Sequence, residues 1–64
     1  MICYSVITDD EEIFDFEGRC NYVETTDKNY LMCYSQDDKG NRSILGMFAH
    51  YAVRRIIAYE KKGR

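Results

Sequence analysis

The sequence is short of almost everything that marks an enzyme. It holds one histidine, no tryptophan and no proline in 64 residues. It contains no GxGxxG, GxxxxGK, HExxH or GxSxG pattern, so the common nucleotide-binding, zinc-protease and serine-nucleophile chemistries have no motif to stand on. No apolar run approaches the roughly 18 residues that a membrane span requires, and no basic flank precedes an apolar stretch at the amino terminus, which points to a cytoplasmic protein. No linker, repeat or low-complexity segment divides the chain, so a single small domain spans residues 1–64. A domain of this length buries only about 60% of its unfolded surface. The core left over is too small to support a rigid catalytic cleft, and a staple, a metal or a second copy of the chain is the ordinary remedy.

Cysteine is also sparse: Cys3, Cys20 and Cys33 are an odd number at wide spacings with no CxxC pair. Closed zinc sites bring their ligands in close pairs, so a Cys3–Cys20–Cys33–His50 site is a weaker reading than three buried, reduced thiols. No metal and no cofactor is expected. A Cys–His nucleophile pair or paired catalytic carboxylates would need a cleft that the chain length does not provide. The run Asp37-Asp38-Lys39-Gly40-Asn41 lacks the spacing and terminal glutamate of a calcium loop. The chain therefore reads as a non-enzyme.

What is present is charge, unevenly placed. The formal net charge is −2, but residues 1–41 carry ten acids against three bases, and residues 42–64 carry six bases against Glu60 alone. Attraction between the halves, within one fold or across a dimer, is the plainer meaning. The sharper one is that an acidic face of Asp9, Asp10, Glu11, Glu12, Asp15 and Glu17 meets a basic partner surface, in the manner of nucleic acid. A pI near 5.2 argues against general affinity for DNA.

Turn-forming clusters fall every eight to twelve residues: Asp9–Glu12, Gly18-Arg19, Thr25–Asn29 and Asp37–Asn41. The runs between them are rich in Tyr, Val, Ile and Phe. This rhythm predicts an all-β protein, a small antiparallel meander of five to six strands. Expected strands are Ile2–Thr8, Glu12–Glu17 (with Phe14 and Phe16 on one face, Asp15 and Glu17 on the other), Cys20–Thr25, Tyr30–Gln36 and Ser43–Ala49. Gly40 supplies the positive φ of the hairpin loop before the last of these. Residues 43–62 also fit a helix, with Leu45, Phe48, Ala52, Ile56 and Tyr59 on one face, Ser43 as cap and Gly63 at its end. That alternative is an α+β fold, a four-stranded antiparallel sheet with one carboxy-terminal helix. Gly46 and Arg55 sit badly in such a helix. The glycine turn needs a return strand, so residues 50–52 are read as a turn leading to a final strand.

Six tyrosines are more than a small sheet can bury completely. Cross-strand aromatic packing accounts for some, and an interface or ligand pocket for others. Arg54 and Arg55 lie between Tyr51 and Tyr59, a pattern in which guanidinium forks hold phosphate while rings stack a base. On a regular strand the two arginines face opposite sides, so only one lines a given pocket. Solvated basic residues near a terminus are the plainer reading.

The stretch NYLMCYSQDDKGNRSILGMFAHYAVRRIIAYE, residues 29–60, resembles short β-rich proteins of phages and mobile elements, through Leu31, Tyr34, Gly40, Phe48, Val53 and Ile56. In its small size, acidity and lack of catalytic motifs the chain is similar to anti-CRISPR and other anti-defence proteins. The resemblance implies an inhibitor of a host defence or nucleic-acid enzyme and assigns no role to an individual residue. The sequence thus leads to a non-enzymatic binding protein acting through its acidic face. Two alternatives follow from other features. One is an oligomeric sponge holding a nucleotide signal through Tyr51, Arg54, Arg55 and Tyr59. The other is a DNA-binding transcriptional accessory protein using the basic end. The small core and surplus tyrosine point to a homo-oligomer.

Overall fold

The computed structural model describes residues 1–62. Six strands form: β1 (Ile2–Thr8), β2 (Ile13–Phe14), β3 (Tyr22–Thr25), β4 (Tyr30–Gln36), β5 (Arg42–Ala49) and β6 (Val53–Glu60). They make two three-stranded antiparallel sheets, in the orders β2-β1-β6 and β3-β4-β5. The all-β reading holds, and residues 43–60 are two strands rather than a helix. Gly63, the helix end in that alternative, lies outside the described residues. The meander proper is β3-β4-β5, while β6 returns to pair with β1 and brings Glu60 and Lys61 beside Met1.

The turn chemistry falls where the sequence placed it. Asp37 accepts backbone N–H groups from Lys39 and Asn41, both at 2.9 Å, and Gly40 takes φ +87° to close the β4–β5 hairpin. These bonds hold the Asp37 carboxyl below its ordinary pKa. A single 3-10 turn, His50–Ala52, separates β5 from β6. A bulge interrupts β4–β5, where Cys33 faces Gly46 and Tyr34 faces Ile44, leaving Leu45 as the extra residue. Asn21 extends β3 by side chain: its amide donates to the Gln36 carbonyl and accepts the Gln36 N–H, both at 2.9 Å.

One expected strand is much shorter than the alternation of residues 12–17 suggests. After Phe14 the chain leaves β1, and Phe16–Gly18 forms a 3-10 turn with Phe16, Glu17 and Gly18 at φ +57°, +56° and +69°. The edge of β1 beyond Phe14 is taken instead by Cys20, whose carbonyl accepts the Tyr4 N–H at 2.9 Å. The excursion seats Phe16 against Gly46, where a Cβ would stand only 3.0 Å from the ring. Phe14, Phe16 and Phe48 form a cluster of edge-to-face and tilted rings with centroids 5.1–6.4 Å apart. Such ring pairs add to simple area burial, which explains why the strand yields to the turn.

The core lies between the sheets. Val6, Cys20, Leu31 and Cys33 are its buried centre, ringed by Tyr4, Phe14, Phe16, Val23, Leu45, Phe48 and Val53. All three cysteines are free and fully buried. Burial pushes the Cys33 thiol up to about 12 and raises that of Cys20. Since the thiolate is the reactive form, the native protein is expected to resist alkylation at mildly alkaline pH and to take up reagent at all three thiols in denaturant. Mass spectrometry before and after unfolding checks this, and rapid labelling of the native chain would contradict it. Among the described residues, no helix is long and apolar enough to cross a membrane.

Candidate functional site

Three loops meet at one end of the molecule. The β1–β2 loop is tied tightly on itself: Thr8 N–H donates to the Glu12 carbonyl at 3.0 Å, Glu11 N–H to the Thr8 carbonyl at 2.9 Å, and the Thr8 hydroxyl to the Asp10 carboxylate. Glu11 adopts φ +67° to make this turn. The Asp9 N–H donates to the Ala52 carbonyl at 2.9 Å, fastening the loop to the 3-10 turn. The His50 N–H in turn donates to Asn29 at 2.8 Å, fastening that turn to the β3–β4 connection. Asp9, Asp10, Glu11 and Glu12 are all exposed along this rim, and Tyr51 beside them is 86% exposed.

Between the loops lies a concavity of about 370 Å³. Its floor is apolar, made of Phe14, Phe48 and Ala52, and its rim carries Thr8, Asp9, Asp10 and Glu12. An aromatic floor beneath carboxylates suits a lysine or arginine side chain, whose methylene stem covers the rings while its charged head meets the acids. The aromatic floor was not singled out in the sequence. Phe14 and Phe48 are 34 positions apart, and only the return of β2 and β5 to one core edge joins them.

The six acids of the expected face do not stay together. Asp9, Asp10, Glu11 and Glu12 gather at the loop end. Asp15 is turned onto the outer face of β1, where its carboxylate accepts the Ser5 hydroxyl at 2.6 Å and the Tyr59 hydroxyl at 2.7 Å. Glu17 sits on the Phe16–Gly18 turn, with Arg19 at 4.0 Å. Hydrogen bonds from Ser5 and then Tyr59 hold the Asp15 carboxyl below 3.8. The bond to Asp15, with partial burial, pushes the Tyr59 hydroxyl up to about 12. A carboxyl depressed in the folded state stabilises it fully above its unfolded value, and that contribution disappears as pH falls through the lower folded value. Thermal melts should therefore show Asp15→Asn less stable than wild type at neutral pH, with the gap closing below pH 3.8. A gap that persists unchanged in acid would contradict this role.

The arginines behave differently from a regular strand. The β1–β6 register shifts between Ile7 and Thr8: Ile7 faces Arg55 and Thr8 faces Val53, so Arg54 is the extra residue of a bulge. A bulge re-aims side chains, and Arg54 and Arg55 both line one groove of about 340 Å³ with Ile7, Glu11 and Ile13. The expectation of opposite faces fails at this point. Arg54 pairs with Glu11 at 3.1 Å, whereas Arg55 has no ion-pair partner among the described residues. Tyr59 is committed to Asp15 and Tyr51 projects from the 3-10 turn, so neither tyrosine lines this groove.

On the outer face of the second sheet, Tyr22 and Tyr34 pack edge to face at 5.1 Å beneath Arg42, whose guanidinium stands 5.5 and 4.7 Å from their centroids. The Tyr34 hydroxyl donates to Glu24 at 2.7 Å. This is the cross-strand aromatic packing expected of a tyrosine-rich sheet. The three cysteines and His50 do not assemble a metal site: the thiols are buried and His50 is exposed at the acidic end. Comparison of the chain with protein-family models, curated proteins and solved structures gives no match.

Proposed function

We propose that the protein is a small non-enzymatic binding protein whose acidic loop end engages a basic surface of a host protein partner, as an inhibitor of a defence or nucleic-acid enzyme would. The observation that carries this reading is the carboxylate-rimmed, aromatic-floored concavity of Thr8, Asp9, Asp10, Glu12, Phe14, Phe48 and Ala52. A basic groove that ordinarily holds nucleic acid offers closely spaced lysines and arginines. Asp9, Asp10 and Glu12 steer such a surface toward the rim, and the notch receives one of its side chains. The backbone bonds that tie the loop to Ala52 keep the acids in place before binding, which lowers the ordering cost of association.

The direct test is titration with a lysine- and arginine-rich peptide and, separately, with an acidic peptide of equal length. The basic peptide is expected to bind and to weaken as salt rises, and the acidic one to give no signal. Equal binding of both peptides, or of neither, would contradict the proposal. A second reading, capture of a nucleotide, has one favourable observation: the bulge that sets Arg54 and Arg55 on the same groove. Calorimetry with a nucleotide panel on wild type and Arg54→Ala/Arg55→Ala tests it, and absence of heat with every ligand removes it.

A further inference from the structure

We infer that the notch at the acidic end selects arginine, taking a guanidinium from the partner in preference to a lysine ammonium. The inference rests on the acidic-end reading and names the side chain that the notch admits. A filled counterpart of such a site stands on the second sheet. There Tyr22 and Tyr34 meet edge to face, with centroids 5.1 Å apart and planes at 77°. The Arg42 guanidinium lies over both rings, 5.5 and 4.7 Å from their centroids. Acceptors stand at its edge: Arg42 Nε donates to the Gln36 side-chain carbonyl at 2.9 Å, and the Glu24 carboxylate is 3.8 Å from Nη1. An edge-to-face ring pair below and oxygen acceptors at the side are how this fold seats its own guanidinium.

The notch has the same parts without the cation. Phe14 and Phe48 meet edge to face, again with centroids 5.1 Å apart and with planes at 64°. Both rings contribute to the floor beside Ala52, and Asp9, Asp10 and Glu12 supply acceptors at the rim. One Asp10 oxygen accepts the Thr8 hydroxyl. The carboxylates of Asp9 and Glu12 have neither a side-chain hydrogen bond nor an ion pair among the described residues. Glu11 turns away to Arg54 at 3.1 Å and lines the other groove. Three carboxylates thus surround an apolar floor with no cation of the described chain paired to them.

The floor selects the head group. An ammonium is a compact, strongly hydrated charge, and seating it on phenyl carbon strips water from it while offering no acceptor from below. A guanidinium is planar and more weakly hydrated. It lies flat on a ring while its N–H groups point outward in its own plane toward carboxylates. Carbon beneath and acceptors around the rim match that distribution of donors. A trimethylated ammonium suits the floor but has no N–H to give the rim.

The test is titration of the intact chain with peptides of equal length and charge, carrying arginine, lysine or trimethyl-lysine at the same positions. The arginine peptide should bind about tenfold more tightly than either of the others. A fourth peptide with dimethylated arginine keeps the charge but loses the bidentate donors, and should fall to the lysine level. Phe48→Leu, its fold checked by circular dichroism, should reduce the arginine-to-lysine ratio below about threefold. In the wild-type complex the arginine Cδ protons should shift upfield under the shielding of the rings, a reading that needs no variant. Equal affinity for arginine and lysine peptides, trimethyl-lysine bound as tightly as arginine, or Cδ protons that do not move would each overturn the inference while leaving the acidic-end reading intact. Binding of none of the peptides would remove both.

Discussion

Leu31→Ala is expected to lower the unfolding free energy by about 3 kcal/mol, the usual cost of truncating a fully enclosed leucine. Leu31 is 2% exposed at the centre of the core, where β4 meets the inner faces of both sheets. A domain of this size has a total stability on the order of 3–10 kcal/mol, so the variant should be partly unfolded at room temperature or melt roughly 15 °C lower. Denaturant titration by circular dichroism measures it. A loss below about 1 kcal/mol would mean that the two sheets do not share this core. The sensitivity has a visible cause: beside Leu31 the buried centre holds only Val6 and the small thiols of Cys20 and Cys33, leaving few large side chains to absorb a cavity.

The second large effect concerns binding. Asp9→Asn/Glu12→Gln removes two rim charges without touching a side-chain hydrogen bond, and affinity for the basic peptide should fall about tenfold, with a shallower dependence on salt. Asp38→Lys changes the net charge by the same amount at the β4–β5 hairpin and should leave affinity within about twofold. Equal loss in the two variants would mean that overall charge, rather than this rim, governs association.

Much of the strand layout is legible in the residues themselves. The alternation in Tyr30–Gln36 and the Asp37–Asn41 turn specify β4, its hairpin and β5, because each rests on local geometry. The 3-10 turn at His50–Ala52 is foreshadowed as a break between two Val/Ile-rich runs. The excursion at Phe16–Gly18 is not legible. The period-two pattern of residues 12–17 is real, yet the packing of Phe16 on Gly46, 30 positions away, overrides it. The same holds for the site. Four adjacent acids are plain in the sequence, but the fate of Asp15 depends on Ser5 and Tyr59, and the shared groove of Arg54 and Arg55 depends on a one-residue slip against Ile7 and Thr8. Long-range pairing decides each of these, and a local pattern does not encode it.

The central claim is that the acidic loop end is where this protein meets its partner, and amide chemical-shift mapping with the basic peptide tests it most directly. Shifts concentrated at Thr8–Phe14 and at Phe48–Ala52 are the expected result. Shifts centred on the Arg54–Arg55 groove, on the Tyr22–Tyr34 face or on the Asp37–Asn41 hairpin would contradict it.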